Sequence, residues 1–114
     1  MNLVSESIDD ALVVRVQDDR IDASVAIQFK DQMRELTTDH SGRVVLDLGQ
    51  VNFVDSSGLG AIVSVMKFLA PTRKLELAAL TANVDKVFHL TRMDSVFAIH
   101  ASAPAANQDE RHAH

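Results

Sequence analysis

Two adjacent serines follow an aspartate in the stretch Asp55-Ser56-Ser57-Gly58-Leu59-Gly60, which also holds two of the chain's four glycines. A hydroxyl beside a carboxylate and bare backbone suits two kinds of chemistry: attack by an activated serine, or modification of a serine by another protein. The first needs a base within hydrogen-bond reach. No histidine lies near the motif in sequence; the five are His40, His89, His100, His112 and His114. A fold that brought His40 or His89 within about 3 Å of a motif serine would support a small hydrolase. Gly-x-Ser-x-Gly is absent, so there is no nucleophile elbow. The Gly58-Leu59-Gly60 run lacks the third glycine of a dinucleotide loop, and no Gly-Lys-Ser/Thr follows it. The histidines lack metal-ligand spacing, and His112 and His114 read as a solvated terminal pair. With no cysteine, thiolate chemistry is excluded. The expectation is a chain that is not an enzyme and holds no metal or cofactor.

The second chemistry fits the position better. Asp55, Ser56 and Ser57 stand where strand-like residues give way to a helix. A serine there accepts hydrogen bonds from the first helical N–H groups, and a helix N-terminus favours an anion. A serine at this point could carry a phosphate without unfolding its own helix. Gly58 and Gly60 leave the backbone open to a second molecule. On the tetrapeptide alone, a plain N-cap with a tight turn explains the residues as well.

The elements that must position this motif are legible from periodicity. A weak strand in "LVSES" and the alternation of Leu12, Val14 and Val16 in "ALVVRVQ" form a hairpin around the "IDD" turn. Val25, Phe29, Met33 and Leu36 make one face of a first helix, with Asp22 as its N-cap and Gly42 after its end. "RVVLDLGQVNFVD" is strand material, and a second helix runs from about Ser57 to Leu69, stopped by Pro71. "KLELAAL" is a strand. "TANVDKVFHLTRMD" is a third helix capped by Thr81 or Asn83, with Val84, Val87, Phe88 and Met93 inward, and "VFAIH" is a last short strand. The order β-β-α-β-α-β-α-β predicts an α/β fold with a mixed sheet of four or five strands and three or four helices. Residues 1–100 form one domain, and residues 101–114 carry no apolar stripe and read as a flexible tail.

Bulk properties agree. A chain of 114 residues with 46% hydrophobic content suits one packed domain. A net charge of −5 argues against nucleic acid as the main partner. The N-terminus lacks the pattern of a signal peptide, and the apolar run from Leu59 to Ala70 is too short to span a bilayer, so a cytoplasmic protein without membrane insertion is expected.

The second helix is apolar nearly all round. Leu59, Ile62, Val63, Met66 and Leu69 form one stripe, expected to face the core. Gly60, Ala61, Ser64, Val65 and Phe68 form another, with Lys67 the helix's one charge. That second stripe is expected to be a partner surface starting at Ser56, with weak self-association as a further use.

Between about residues 8 and 99 the chain resembles the STAS domain, in particular the stand-alone bacterial anti-sigma factor antagonists. The resemblance rests on "RID" before helix 1, on "VVLDLGQVNFVDSSGLGAI", and on "LTANVDKVFHLTRMDSVF". It implies a STAS-like fold and partner switching. The unphosphorylated antagonist binds an anti-sigma factor that is also a serine kinase of the histidine-kinase-like ATPase type, which frees the sigma factor. Phosphorylation of the serine after the motif's aspartate breaks the complex, and a serine phosphatase resets it. By position that serine is Ser56. Asp55, Ser57, Gly58, Leu59 and Gly60 then belong to the partner surface, with Asp22 close by. A non-catalytic binding or scaffold subunit of another regulatory or membrane-transport complex is the alternative the family offers. The chain departs from the family pattern at Asp19, at Thr72 and Arg73, and at Arg92, where small residues are usual. Related domains often carry polar residues at the positions of Val65 and Phe68.

Overall fold

Alternating apolar residues in the first two strands begin the sheet. In the computed structural model, which describes residues 1–104, β1 (Leu3–Ile8) and β2 (Ala11–Val16) pair antiparallel across a turn in which Asp9 takes φ 55°. There follow β3 (Arg20–Ile21), α1 (Ala26–Thr37), β4 (Arg43–Asp47), β5 (Phe53–Val54), α2 (Ser56–Leu69), β6 (Leu75–Ala78), α3 (Ala82–Leu90), a 3-10 turn (Met93–Ser95) and β7 (Ile99–His100). The main sheet has the order β1-β2-β4-β6-β7, with every pairing after β1–β2 parallel. The mixed sheet of four or five strands expected has five, with three α-helices among the described residues. Beyond that expectation, β3 and β5 form a separate parallel pair. The expected tail over residues 101–114, or a fourth helix there, lies for the most part outside the described residues.

One face of the sheet carries the core. Leu12, Val14 and Val16 of β2, Val44 and Leu46 of β4, and Leu75 and Leu77 of β6 pack against Phe29 and Met33 of α1, Ile62, Val65 and Leu69 of α2, and Val84 and Phe88 of α3. All three helices therefore cover the same face. The alternation of Leu12, Val14 and Val16 marks one buried face, yet Val13 and Val45 on the opposite face are fully buried too, in a small cluster with Ile8, Ala11 and Ala78.

Two family departures have local explanations. Arg73 donates through Nη1 to the carbonyls of Thr37 and His40, supplying a cation to the C-terminal end of α1. Arg92 sits at φ 62°, in the left-handed region that glycine enters most readily.

The opposite face of the sheet bears ion pairs. Arg43 and Glu76 form a two-pronged pair, with Nε and Nη2 of the arginine at 3.1 and 2.8 Å from the carboxylate oxygens. His100 Nε2 lies 2.6 Å from the same carboxylate. The Glu76 side chain is only 10% exposed. The Arg43 hydrogen bond is the largest effect on this carboxyl and outweighs burial, so its pKa falls from 4.5 to about 2. A depressed folded-state pKa stabilises the protein above the unfolded value, and that contribution disappears as pH falls through the folded one. The unfolding free energy should therefore drop by roughly 2–3 kcal/mol from this group between about pH 5 and pH 2. Denaturation curves for wild type and Glu76→Gln over that range check it: the variant should be less stable at neutral pH and flatter with acid.

Candidate functional site at the start of the second long helix

The small β3–β5 pair builds the site. Ile21 and Val54 point into the core, while Arg20 and Phe53, their neighbours in the same register, face out. The pairing sets the ends of the two strands side by side, so the segment at Asp22 meets the start of α2. Asp55, in extended backbone at φ −95°, is the N-cap residue of α2. Its Oδ1 accepts from the Gly58 N–H at 2.8 Å, and its Oδ2 accepts from the Ala23 N–H at 3.2 Å. One carboxylate thus closes the helix start and fastens the entry to α1 onto it.

This corrects the expectation that a serine caps the helix. Because Asp55 does so, the Ser56 and Ser57 hydroxyls have no hydrogen-bond partner among the described residues, and both side chains are exposed. Their two N–H groups are among the orphan donors that open any helix. Asp22 also differs from expectation. Val25, not Asp22, is the N-cap residue of α1. Asp22 Oδ1 instead accepts from the Ser24 hydroxyl at 2.6 Å and the Ser24 N–H at 3.1 Å. The Ser24 hydroxyl does most to lower the Asp22 pKa, and Arg20, 3.6 Å from Oδ2, adds to it. Asp22 does lie beside the motif, because its neighbour Ala23 is bonded to Asp55.

The two glycines separate. A Cβ on Gly58 would lie 1.9 Å from the Ile21 carbonyl oxygen, so what approaches this glycine closely is the chain's own β3. A Cβ on Gly60 would meet nothing within 4 Å. The face of α2 is also rotated from the one expected. Gly58, Ala61, Ile62, Val65 and Leu69 are buried, whereas Leu59, Val63 and Met66 are only half-buried or packed at the margin. Small residues on the inner stripe let the helix approach the sheet and β3 closely, so Ala61 and Val65 belong to the core and not to a partner surface. Gly58 is removed from that surface for the same reason. Ser56, Ser57, Leu59, Gly60, Ser64 and Phe68 remain accessible. Ser64 Oγ donates to the Gly60 carbonyl at 3.0 Å, and Phe68 lies beneath Arg34 of α1.

His40 is bonded to the Arg43 carbonyl at the start of β4, and His89 to Asp94 after α3. Both lie at the end of the parallel sheet opposite the motif. Among the described residues no cluster of acidic or histidine side chains could hold a metal, and no helix is long and apolar enough to cross a membrane. Arg20 and Phe53 are site neighbours that the sequence does not signal. The guanidinium stands 5.4 Å from the Phe53 ring centre, and Phe53 is 46% exposed, but only the β3–β5 pairing reveals this.

The fold has counterparts in known proteins. The family model for the STAS domain matches residues 2–106, and the chain belongs to that family. BtrV of Bordetella bronchiseptica, which carries the name of an anti-sigma factor antagonist, is 30% identical over 107 residues, covering 93% of this chain and 91% of BtrV. The structure of an anti-sigma factor antagonist from Mycobacterium paratuberculosis superposes with a TM-score of 0.77 at 23% identity, over 94% of this chain and 88% of that one. The antagonist SpoIIAA in its unphosphorylated form gives 0.64 at 17% identity over 98% of each chain. Its phosphorylated form from Bacillus gives 0.62 at 17% identity over 96% of this chain and 98% of that one.

The glycines offer a direct check on the helix orientation. Gly58→Ala should cost about 1–3 kcal/mol through overpacking against Ile21. Gly60→Ala, in an open helical position, should gain up to about 1 kcal/mol. Chemical denaturation of the two variants should move in opposite directions.

Proposed function

We propose that the chain is a phospho-switched anti-sigma factor antagonist. In its unphosphorylated form it binds an anti-sigma factor that is also a serine kinase, and so frees the sigma factor. The chain is a substrate and a binding partner, not an enzyme. The kinase transfers the γ-phosphoryl group of ATP to Ser56 Oγ, the hydroxyl loses its proton, and ADP leaves. A serine phosphatase hydrolyses the ester and restores the binding form.

The observation that carries this reading is the division of labour at the helix start. Asp55 caps α2 with one oxygen and holds Ala23 with the other, while the Ser56 hydroxyl stands exposed and uncommitted. A phosphate on Ser56 therefore displaces no native hydrogen bond. It adds about −1.5 to −2 charge at neutral pH, next to Asp55, where the helix dipole tolerates an anion. A partner seated over Ser56, Leu59 and Gly60 would have to desolvate that dianion, which is costly. The likeness to BtrV supports the antagonist role, and SpoIIAA, whose structure exists in both phosphorylation states, supports the switch.

The test is incubation with ATP and the anti-sigma factor kinase of the same organism, followed by mass-spectrometric mapping and pull-down. Phosphate is expected on Ser56 and absent from Ser56→Ala. Ser56→Asp should keep a cooperative thermal transition close to wild type and lose the partner. Phosphate confined to Ser57, or a Ser56→Asp protein that binds as well as wild type, contradicts the reading.

A further inference from the structure

A groove of about 480 Å³ between α1 and α2 is lined by Lys30, Asp31, Arg34, Ser64, Lys67 and Phe68. Three of the chain's 11 lysines and arginines meet here against a single carboxylate, in a chain whose net charge is −5. Among the described residues, no carboxylate lies within ion-pair distance of Lys30, Arg34 or Lys67, although seven other such pairs form elsewhere. The Arg34 guanidinium lies 4.4 Å from the centre of the Phe68 ring, so the groove has an apolar floor and a cationic rim. Helix-end electrostatics account for only part of this. Arg34 and Lys67 stand in the last turns of their helices, where a cation is favoured, but Lys30 stands in the middle of α1.

We infer that this groove docks an acidic segment of the protein partner. The inference rests on the proposed antagonist role for the partner's identity, and on charge complementarity for its chemistry. The groove continues the accessible line Ser56, Gly60, Ser64, Phe68, at four-residue spacing down one side of α2. Lys67 lies about 16 Å from Ser56 along the helix axis, at 1.5 Å per residue. That exceeds the screening length of about 8 Å at physiological salt. Lys67 is therefore largely screened from the switch: the groove selects and holds the kinase, while Ser56 decides release. The aromatic floor beside arginine matches the composition of interface hot spots.

The experiment compares wild type with Lys30→Glu/Lys67→Glu, and with Lys30→Gln/Lys67→Gln as a neutral control, as substrates of the kinase that phosphorylates Ser56. Charge reversal should raise KM at least tenfold and leave kcat within twofold, with unchanged thermal midpoints, and the neutral pair should fall between. Wild-type KM should rise with salt and that of the reversed variant should not. KM within twofold of wild type for the reversed variant overturns the inference. If the kinase phosphorylates neither protein, the antagonist reading fails, and the groove is judged separately by NMR titration of the full chain. There, a synthetic twelve-residue Glu/Asp/Leu peptide should shift the amides around Lys30, Ser64 and Lys67 saturably, and its Gln/Asn/Leu counterpart should not. Equal shifts with both peptides, saturation by ATP alone, or a concentration-dependent dimer abolished by the reversed charges would each overturn it.

Discussion

The arrangement of the site depends on one carboxylate. Asp55 accepts from Gly58 at the start of α2 and from Ala23 at the entry to α1, so two helices and the β3–β5 pair are referred to a single side chain. The close approach of Gly58 to the Ile21 carbonyl belongs to the same constraint, because the helix start must sit tight against β3 for the second hydrogen bond to form. A charged acceptor suits this double role, since hydrogen bonds to an ionised group are roughly twice as strong as neutral ones.

With the capping duty taken by the aspartate, the two serines that follow are free of structural work. On the proposed reading this separates what holds the fold from what is modified. The phosphate arrives on a hydroxyl that supports nothing, at a helix end that accommodates negative charge. Its consequence falls on whatever approaches the exposed side of α2. Gly60, with open space around it, keeps that side low next to Ser56. The cationic groove further along the helix then gives the partner a second place to hold, with Lys67 more than a screening length from the phosphate.

Much of this is readable from the chain. The hairpin, the strand–helix alternation and the inward faces of α1 and α3 follow from periods of two and 3.6, because each element buries one face. The Asp-Ser-Ser-Gly motif marks a helix start, but composition alone does not say which of three polar side chains caps it. The geometry decides it: Asp55 stands at the N-cap position and accepts from the Gly58 N–H, and its other oxygen is held by Ala23, 32 positions away. The rotation of α2 is hidden because the helix is apolar nearly all round, so hydrophobicity carries no direction. Size does not settle it either, because Gly58 and Ala61 lie on the side nearest the sheet while Gly60 lies on the open side. Two-residue strands such as β3 and β5 are too short to show a period. Lys30 and Arg34, four apart on α1, give no sign that Lys67 of α2 lies across from them, since that proximity comes from helix packing.

The proposed switch requires the helix start to survive phosphorylation intact, and amide hydrogen exchange at two positions reads this directly. The Gly58 and Ala23 N–H groups both donate to Asp55. If the phosphate acts only on the approaching partner, both amides keep their protection in Ser56-phosphorylated protein while affinity for the anti-sigma factor falls. If protection at Gly58 or Ala23 is lost along with binding, the phosphate has pulled the cap apart, and the switch is a change of fold at the helix start.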